Sequence, residues 1–237
     1  MEESVGETLI IGDLGDDIIP EILSLLPAKS FASAALVCRK WNVICNCILS
    51  SPKLYSAVSL NPSLEEAVNE VVDKVLSEPI RPHFALASIG PSFVLQEALV
   101  LIERNLCSKI PIIVSVAEGV IGKDVLTDKF VEVQWTEHTV TCGIILTVGF
   151  LPGVTVHLYL VFPEDGFIVG DGGSSNFIVR YQNTTTLAGL AGVSLLFTRD
   201  INKPSGVGET EFHVMFSTGV SLVGPTYEAN IIRDEES

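Results

Sequence analysis

The stretch that decides the N-terminal fold is LGDDIIPEILSLLPAKSFASAALVCRKWNVI, from Leu14 to Ile44. Asp16 and Asp17 suit the start of a helix, because carboxylates are favourable near the positive end of the helix dipole. Apolar residues then recur at helical spacing until Pro27, which stops the run. Two further short helices fit the remainder, so the pattern predicts a helical module in about the first fifty-five residues.

The segment VCRKWNVICNC (Val37 to Cys47) admits three interpretations: a metal site, a nucleic-acid patch or a partner-binding helix. The spacing of Cys38, Cys45 and Cys47 lacks the C-x2-C pair of structural zinc sites. The formal net charge of −15 repels phosphate backbones. We therefore expect thiols that act as small apolar side chains, on a helix that binds a partner.

In order and spacing, this stretch resembles the F-box, the adaptor-binding module of Skp–cullin–F-box (SCF) ubiquitin ligases. The positions that match are Leu14, Asp16, Asp17, Ile22, Leu23, Leu26, Pro27, Val37, Cys38, Arg39, Lys40 and Trp41. Gly15 stands where the family usually has proline. A three-helix module of this size cannot bury its apolar surface alone, which agrees with a docking role. The adaptor-binding residues that we predict are Leu14, Ile18, Ile22, Leu26, Pro27, Val37, Cys38 and Trp41.

The second part of the chain has a mixed α/β pattern. Ser63 with Glu66 forms a capping-box pattern, which opens a helix that ends before Pro79. A strand over Phe84–Gly90, a helix after it and a long apolar strand over Ile110–Gly122 follow. Further strands are predicted over Val131–Trp135, Cys142–Phe150, Val154–Phe162, Gly166–Gly170, Leu195–Thr198 and Phe212–Ser217. The predicted fold class is α+β, a three-helix module followed by a mixed α/β domain.

Four stretches of this part are similar to the FIST sensory domain, which occurs behind an F-box in some eukaryotic proteins. They are IPIIVSVAEGVIGKD, GIILTVGFLPG, EDGFIVGDGGSS and STGVSLVGPTYEA. The resemblance covers one lobe, so it implies a shortened form of the domain, which senses small ligands and catalyses nothing. The predicted division of the chain is an acidic N-terminus (1–11), the F-box-like module (12–58), a connecting helix (59–80), the FIST-like domain (81–232) and an acidic tail (233–237).

Backbone N–H groups at two glycine-containing turns are candidates for ligand binding. Gly90 lies between a strand and the start of a helix, where free N–H groups hold anions. The GDGGSS loop offers a similar cradle, and plain turns are the competing interpretation at both places. The candidate ligand-binding residues are Gly90, Gly170, Asp171, Gly172 and Gly173.

Hydropathy raises the question of a membrane span. The mean hydropathy is +0.45. The longest apolar run, Gly143 to Phe162, is broken by Pro152 and Gly153, which favours two strands over a transmembrane helix. The N-terminus lacks the cationic region of a signal peptide, and the chain has five cysteines. We therefore expect reduced thiols and a location in the cytoplasm, the nucleus or both.

The function predicted from these patterns is that of a non-catalytic substrate receptor of an SCF-type ubiquitin ligase. Its expected partners are a Skp adaptor, through it a cullin, a protein substrate and a small-molecule ligand, without nucleic acid, membrane, metal or cofactor. The alternative is an intracellular small-ligand sensor that takes no part in ubiquitination. An enzyme is disfavoured, because Cys142 and His138 lie close in sequence but no nucleophile signature surrounds them.

Overall fold

The computed structural model describes residues 18–106, 109–135, 141–161, 176–182, 184–188, 192–203 and 208–212. Within these residues, three short helices precede a mixed α/β domain, which confirms the predicted α+β class. The helical module consists of α1 (Ile18–Ser24), α2 (Ala28–Ala34) and α3 (Arg39–Ile48).

The α/β domain contains two longer helices and ten strands in the described residues. The helices are α4 (Leu64–Val75) and α5 (Leu95–Asn105). The strands are β1 (Lys53–Ser59), β2 (Phe84–Ile89), β3 (Ile112–Val116), β4 (Gly119–Lys123), β5 (Phe130–Gln134), β6 (Ile144–Phe150), β7 (Val154–Val161), β8 (Phe177–Tyr181), β9 (Thr184–Ala188) and β10 (Gly192–Arg199).

Six of these strands form one sheet in the order β1-β6-β2-β3-β8-β9. Strands β2 and β3 are parallel, and α5 connects them as the crossover of a βαβ unit. The other neighbouring pairs in this sheet are antiparallel. Two two-stranded ribbons, β4–β5 and β7–β10, complete the described β structure.

Helices α4 and α5 pack on one face of the sheet. The Ser63 side chain accepts a hydrogen bond from the Glu66 N–H at the start of α4, as the capping-box pattern predicts. Val68, Val71 and Val75 belong to the buried stripe of this helix. The core that they join is continuous from the helical module to the sheet.

Each ribbon adds a small apolar cluster to the sheet. The β4–β5 ribbon contributes Val120 to a cluster that contains Val58 of β1 and Trp135. The β7–β10 ribbon places Val154 and Val156 against Phe84 of β2. The two ribbons therefore extend the fold beyond the six-stranded sheet.

Several strand predictions differ from the structure. The single strand predicted over Ile110–Gly122 is wrong, because the chain leaves the sheet after β3 and β4 pairs with β5 instead. Strands β1, β8 and β9 were not predicted, and the helical interpretation fails at residues 53–55, which begin β1. The predicted strand at 166–170, and 213–217 of another, lie outside the described residues.

The structure also reports on the apolar run that raised the question of a membrane span. It forms β6 and β7, with Gly153 at positive φ (71°) in the turn between them. Within the described parts of the chain, no helix is long and apolar enough to cross a membrane.

Candidate docking surface

Helix α1 has apolar residues on two sides. Ile19 and Leu23 are buried in the core of the module. Ile18 and Ile22, four residues apart, are 46% and 43% exposed, and Leu25 is more exposed still. A short helix therefore uses one apolar stripe for its own packing and presents another to the outside. The predicted docking residues Ile18 and Ile22 belong to the outer stripe.

The connection between α2 and α3 carries a second group of exposed apolar side chains. Pro27, an exposed residue, is the N-cap of α2, and Phe31 anchors this helix in the core. Beyond the end of α2, Leu36 is 84% and Val37 65% exposed. At such exposed positions, large apolar side chains contribute no burial to the folding of the isolated chain. This turn is therefore a candidate contact surface.

Helix α3 begins after Cys38, which is in an extended conformation and exposed. The side-chain amide of Asn42 donates a hydrogen bond of 3.1 Å to the Ala35 carbonyl oxygen, which ties α3 to the end of α2. Cys45 is fully buried, and desolvation raises the pKa of its thiol, against the opposing effect of Arg81. Cys45 is therefore a core residue.

The cysteines of α3 do not assemble a metal site. Cys45 is buried whereas Cys38 and Cys47 are exposed. Among the described residues, no group of three or more histidine, cysteine, aspartate or glutamate side chains is arranged to hold a metal ion.

Between α1 and α3 lies a shallow pocket with a cationic side. Pro20 of α1 lines it together with Arg39, Lys40, Val43 and Ile44 of α3. Val43 is about half exposed. We call this pocket and the outer stripe of α1 the α1–α3 surface. It combines apolar side chains with two cations, which suits a partner that offers apolar groups beside carboxylates.

The helical module is attached firmly to the α/β domain. The Ala28 N–H of α2 donates a hydrogen bond of 2.9 Å to the Leu76 carbonyl oxygen at the end of α4. Gly208 lies so close to Ser50, after α3, that a Cβ on it would meet the Ser50 carbonyl oxygen. With the shared core, these contacts set the orientation of the α1–α3 surface relative to the sheet.

The other predicted docking residues have mixed environments. Leu26 and Trp41 are partly buried and pack against the core, so their side chains also stabilise the module. Leu14 lies outside the described residues. Sequence reasoning missed two exposed apolar residues, Leu36 in the turn after α2 and Val43 on α3.

Of the candidate ligand-binding residues, Gly90 alone lies in the described part. Its N–H donates a hydrogen bond of 2.9 Å to the Gly143 carbonyl oxygen. A Cβ at this position would lie 2.2 Å from the Thr141 carbonyl oxygen, so glycine permits the close approach of two backbone segments. Ligand binding there stays a prediction, and Gly170, Asp171, Gly172 and Gly173 fall outside the described residues, as does His138 of the enzyme hypothesis.

A family profile described as F-box-like matches residues 11–55, which include all three helices of the module. The chain therefore carries an F-box-like domain in its N-terminal part.

A curated relative agrees with this assignment. The chain is 42% identical over 173 residues to an F-box/LRR-repeat protein of Arabidopsis thaliana. The similarity covers 70% of this chain and 32% of that protein, so the chain spans about a third of the length of the relative. An alignment of this length extends well beyond residues 11–55, so the relative also shares sequence with the α/β domain.

Proposed function

We propose that this chain is a substrate-recognition subunit of an SCF-type ubiquitin ligase. The α1–α3 surface would hold a Skp adaptor and, through it, a cullin, and the α/β domain would bind a substrate or a small regulator. The observation that carries the proposal is that the profile match and the exposed apolar side chains fall on the same helices. The residues that match the F-box-like profile include the three helices of the module, and this module exposes Ile18, Ile22 and Val37.

The energetics of docking support the same role. Apolar area that becomes buried contributes about 25 cal/mol per Å2. The apolar side chains of α1 and of the α2–α3 turn remain exposed in the folded chain. Their burial in a complex would therefore contribute to the free energy of binding. Arg39 and Lys40 add a cationic edge to the same surface, and such an edge favours partners that carry carboxylates.

A subunit of this kind acts without catalysis of its own. It would hold a substrate lysine near the ubiquitin-carrying enzyme and so raise the effective concentration of the reacting groups. This mechanism requires a fixed geometry between adaptor and substrate. The hydrogen bond from Ala28 to Leu76 and the close approach of Gly208 to Ser50 hold the module on the α/β domain, which supports this requirement.

The test uses substitutions at exposed positions, because changes at Leu26 or Trp41 would also disturb the packing of the module. We expect the variant Ile22→Asp with Val43→Asp to lose at least about tenfold in affinity for a purified Skp adaptor, since two charges would enter an apolar contact. The control Leu187→Asp with Leu196→Asp places the same two charges at exposed positions of β9 and β10, in the α/β domain.

Calorimetry of the adaptor complex and the melting temperature of each variant are the two measurements. Affinity that is unchanged in the double variant, at an unchanged melting temperature, would contradict the proposed function. Equal losses in the double variant and in the control would attribute the effect to charge alone.

We further propose that the α/β domain is FIST-like and takes up a small regulator. The four sequence stretches that resemble this family support the proposal, and the mixed α/β fold is compatible with it. A thermal-shift screen of the full chain against amino acids and related metabolites is the test. A concentration-dependent rise in melting temperature supports a ligand site, and no rise across the screen favours a surface that binds protein.

A further inference from the structure

A half-enclosed cavity of about 300 Å³ lies between one end of the β7–β10 ribbon and the segment 208–212. We call it the ribbon cavity. The lining residues that the argument uses are Val154, Phe197, Arg199, Glu209, Thr210 and Phe212. None of them lines the α1–α3 surface, and none is a ligand-binding residue predicted from the sequence. The ribbon cavity is therefore a separate site.

Hydrogen bonds hold the walls of the ribbon cavity in place. The N–H and the hydroxyl group of Thr210 both donate to the Pro152 carbonyl oxygen, over 3.0 Å and 2.9 Å. The Asp200 N–H at the end of β10 donates to the Gly153 carbonyl oxygen over 2.8 Å. Both walls are thus attached to the turn between β6 and β7. A cavity with fixed walls binds a ligand at a smaller entropic cost.

One wall of the ribbon cavity is aromatic. The rings of Phe197 and Phe212 are stacked, with centroids 5.5 Å apart and an interplanar angle of 29°. Phe197 also meets Phe84 edge to face, at 5.9 Å, and so belongs to the apolar cluster under the ribbon. Phe212, in contrast, is 56% exposed. This wall can therefore take up a further ring, because aromatic groups gain contact by stacking at such distances.

The charged side of the ribbon cavity has more cationic than anionic groups. One oxygen of Glu209, Oε1, accepts hydrogen bonds from Arg199 over 3.1 Å and from Lys203 over 2.8 Å. These bonds lower the pKa of Glu209, that from Lys203 having the larger effect, so the carboxylate stays ionised. Two cations thus share one carboxylate. Two other acidic residues, Asp200 and Glu211, flank the cluster in sequence but do not line the cavity.

Arg199 is the cation that faces the ribbon cavity with donors to spare. Its side chain is 77% exposed, and its hydrogen bond to Glu209 is made through Nη2. A guanidinium group has five N–H donors in a planar fork, which matches the geometry of a carboxylate. Within the described part of the chain, donors of Arg199 therefore remain for a second carboxylate.

We propose that the ribbon cavity binds a small aromatic carboxylate. The ring of the ligand lies against Phe197 and Phe212, and its carboxylate pairs with Arg199. The ligand then supplies the second negative charge to a cluster of two cations, and a charge-assisted hydrogen bond holds it. The volume of the cavity is at the lower end of the range for ligand sites, which suits a molecule of one or two rings.

This proposal gives a site and a ligand class to the small regulator proposed above, and it rests on that function. The segment that forms one wall also approaches the helical module, because Gly208 lies against Ser50 after α3. A regulator in the ribbon cavity would therefore contact the segment that lies against the F-box-like domain.

The test compares two probes of one shape, 2-naphthoate and the uncharged 2-naphthamide. We expect the full chain to bind 2-naphthoate about tenfold more tightly than 2-naphthamide, as measured by calorimetry. Arg199→Gln should reduce this preference to about twofold or less, and Phe212→Ala should weaken both probes by about fivefold or more. The control Arg104→Gln removes the same charge at an exposed position of α5 and should keep the preference.

Three outcomes would overturn the proposal. They are failure of the wild-type chain to bind 2-naphthoate, equal affinities of the wild-type chain for the two probes, and a preference that persists in Arg199→Gln at an unchanged melting temperature. An equal loss of preference in Arg104→Gln would also contradict it, since net charge alone would then explain the binding. 

Adaptor affinity, measured on the same preparations, separates this proposal from the proposed function. A chain that binds the Skp adaptor but not 2-naphthoate would overturn the ribbon cavity as a site and leave the receptor function intact. A chain that binds 2-naphthoate through Arg199 but not the adaptor would contradict the receptor function and leave the site intact.

Discussion

Helices α1 and α4 carry similar apolar residues and expose them to different extents. In α4, Val68, Val71 and Val75 are completely buried against the sheet. In α1, Ile18 and Ile22 have almost half of their side chains in solvent. The difference separates two uses of apolar area, because α4 stabilises the fold whereas the outer stripe of α1 is free to stabilise a complex.

This difference explains why a short module can serve as a docking device. Burial of a large aliphatic side chain contributes about 1.5–3 kcal/mol to folding. In the helical module this contribution comes from residues such as Leu23 and Phe31, which face inward. Substitutions on the two sides of the module should therefore change either stability or binding. Four predictions compare buried with exposed positions, in the sheet, at the β4–β5 ribbon, at the start of β2 and within α1.

The largest effect is expected in the sheet. Leu146 on β6 is fully buried, so Leu146→Ala removes buried methyl groups and leaves a cavity. We expect a loss of about 2–5 kcal/mol in the free energy of unfolding, measured by urea denaturation. The control Leu196→Ala, on the exposed side of β10, should change it by less than about 0.5 kcal/mol. Similar losses at the two sites would contradict the assigned core.

The next effect concerns the ion pair that attaches the β4–β5 ribbon to α4. Asp124, 3% exposed, accepts a hydrogen bond of 2.9 Å from the Lys74 ammonium group, which also donates to the Val58 carbonyl oxygen. Asp124→Ala leaves a partly buried ammonium group without its carboxylate. We expect a loss of about 2–3 kcal/mol, because the solvent that reaches Lys74 moderates the penalty of a buried charge.

The matched control for this prediction is Asp128→Asn, which removes the charge and suits the left-handed backbone conformation at this position (φ 57°). Asp128 pairs with Lys123 at the exposed end of the same ribbon, and such pairs contribute about 0–1 kcal/mol.

Burial acts to raise the pKa of Asp124, but the hydrogen bonds from Lys74 and Thr127 outweigh it and the pKa is lowered. The stabilisation is thus present above about pH 3.9 and is lost as the pH falls through the lower pKa of the folded state. Equal losses in the free energy of unfolding at Asp124 and at Asp128 would contradict the predicted difference between the buried and the exposed ion pair.

A smaller effect depends on pH. His83, at the start of β2, stacks on Phe150 with ring centroids 4.6 Å apart, and its Nδ1 accepts a hydrogen bond of 3.4 Å from the Leu151 N–H. Burial, and to a lesser degree Arg81, lower the pKa of His83, against the smaller opposite effect of Asp200. The folded state therefore prefers the neutral imidazole.

The sign of the pH effect follows from this preference. Stability is complete above the pKa of the unfolded chain, about 6.5, and falls as the pH drops from there toward the lower pKa of the folded state. In His83→Asn, whose side-chain oxygen can accept the same hydrogen bond, the melting temperature should lose part of its dependence on pH between about 7.5 and 5. A His83→Asn variant that keeps the full wild-type dependence on pH would count against the role of His83.

The smallest effect on stability is expected at the outer stripe of α1. Ile22→Ala should change the free energy of unfolding by less than about 0.5 kcal/mol, whereas Leu23→Ala, one residue further and fully buried, should cost about 2–5 kcal/mol. Chemical denaturation of both variants makes the comparison within a single helix. A large loss at Ile22 would show that the outer stripe belongs to the fold.

The helical parts of the structure were predictable because their signals are local. The spacing of apolar residues, the prolines and the Ser63 capping pattern predicted the three-helix module and α4. The strand over Phe84–Gly90 was recognised as well and forms β2. In each case the decisive residues lie within one or two turns, or within one run, of each other.

The sheet was less predictable because its pairing is not local. The run from Ile110 to Gly122 is continuous in hydropathy, yet β3 joins the six-stranded sheet and β4 joins a ribbon. Strand β1 pairs with β6, which follows it by about ninety residues, and nothing near Lys53 indicates that partner. Period and composition describe a strand but do not identify its neighbour.

By itself, the sequence determined the α+β class, the three-helix module, the match to the F-box-like pattern and the capped start of α4. The tertiary structure alone decided which side of α1 is open, how Ala28 ties the module to α4, and that the N–H of Gly90 is already bonded to Gly143. The physical reason is the range of the interactions. Helical periodicity is set by neighbours along the chain, whereas exposure depends on what distant segments cover.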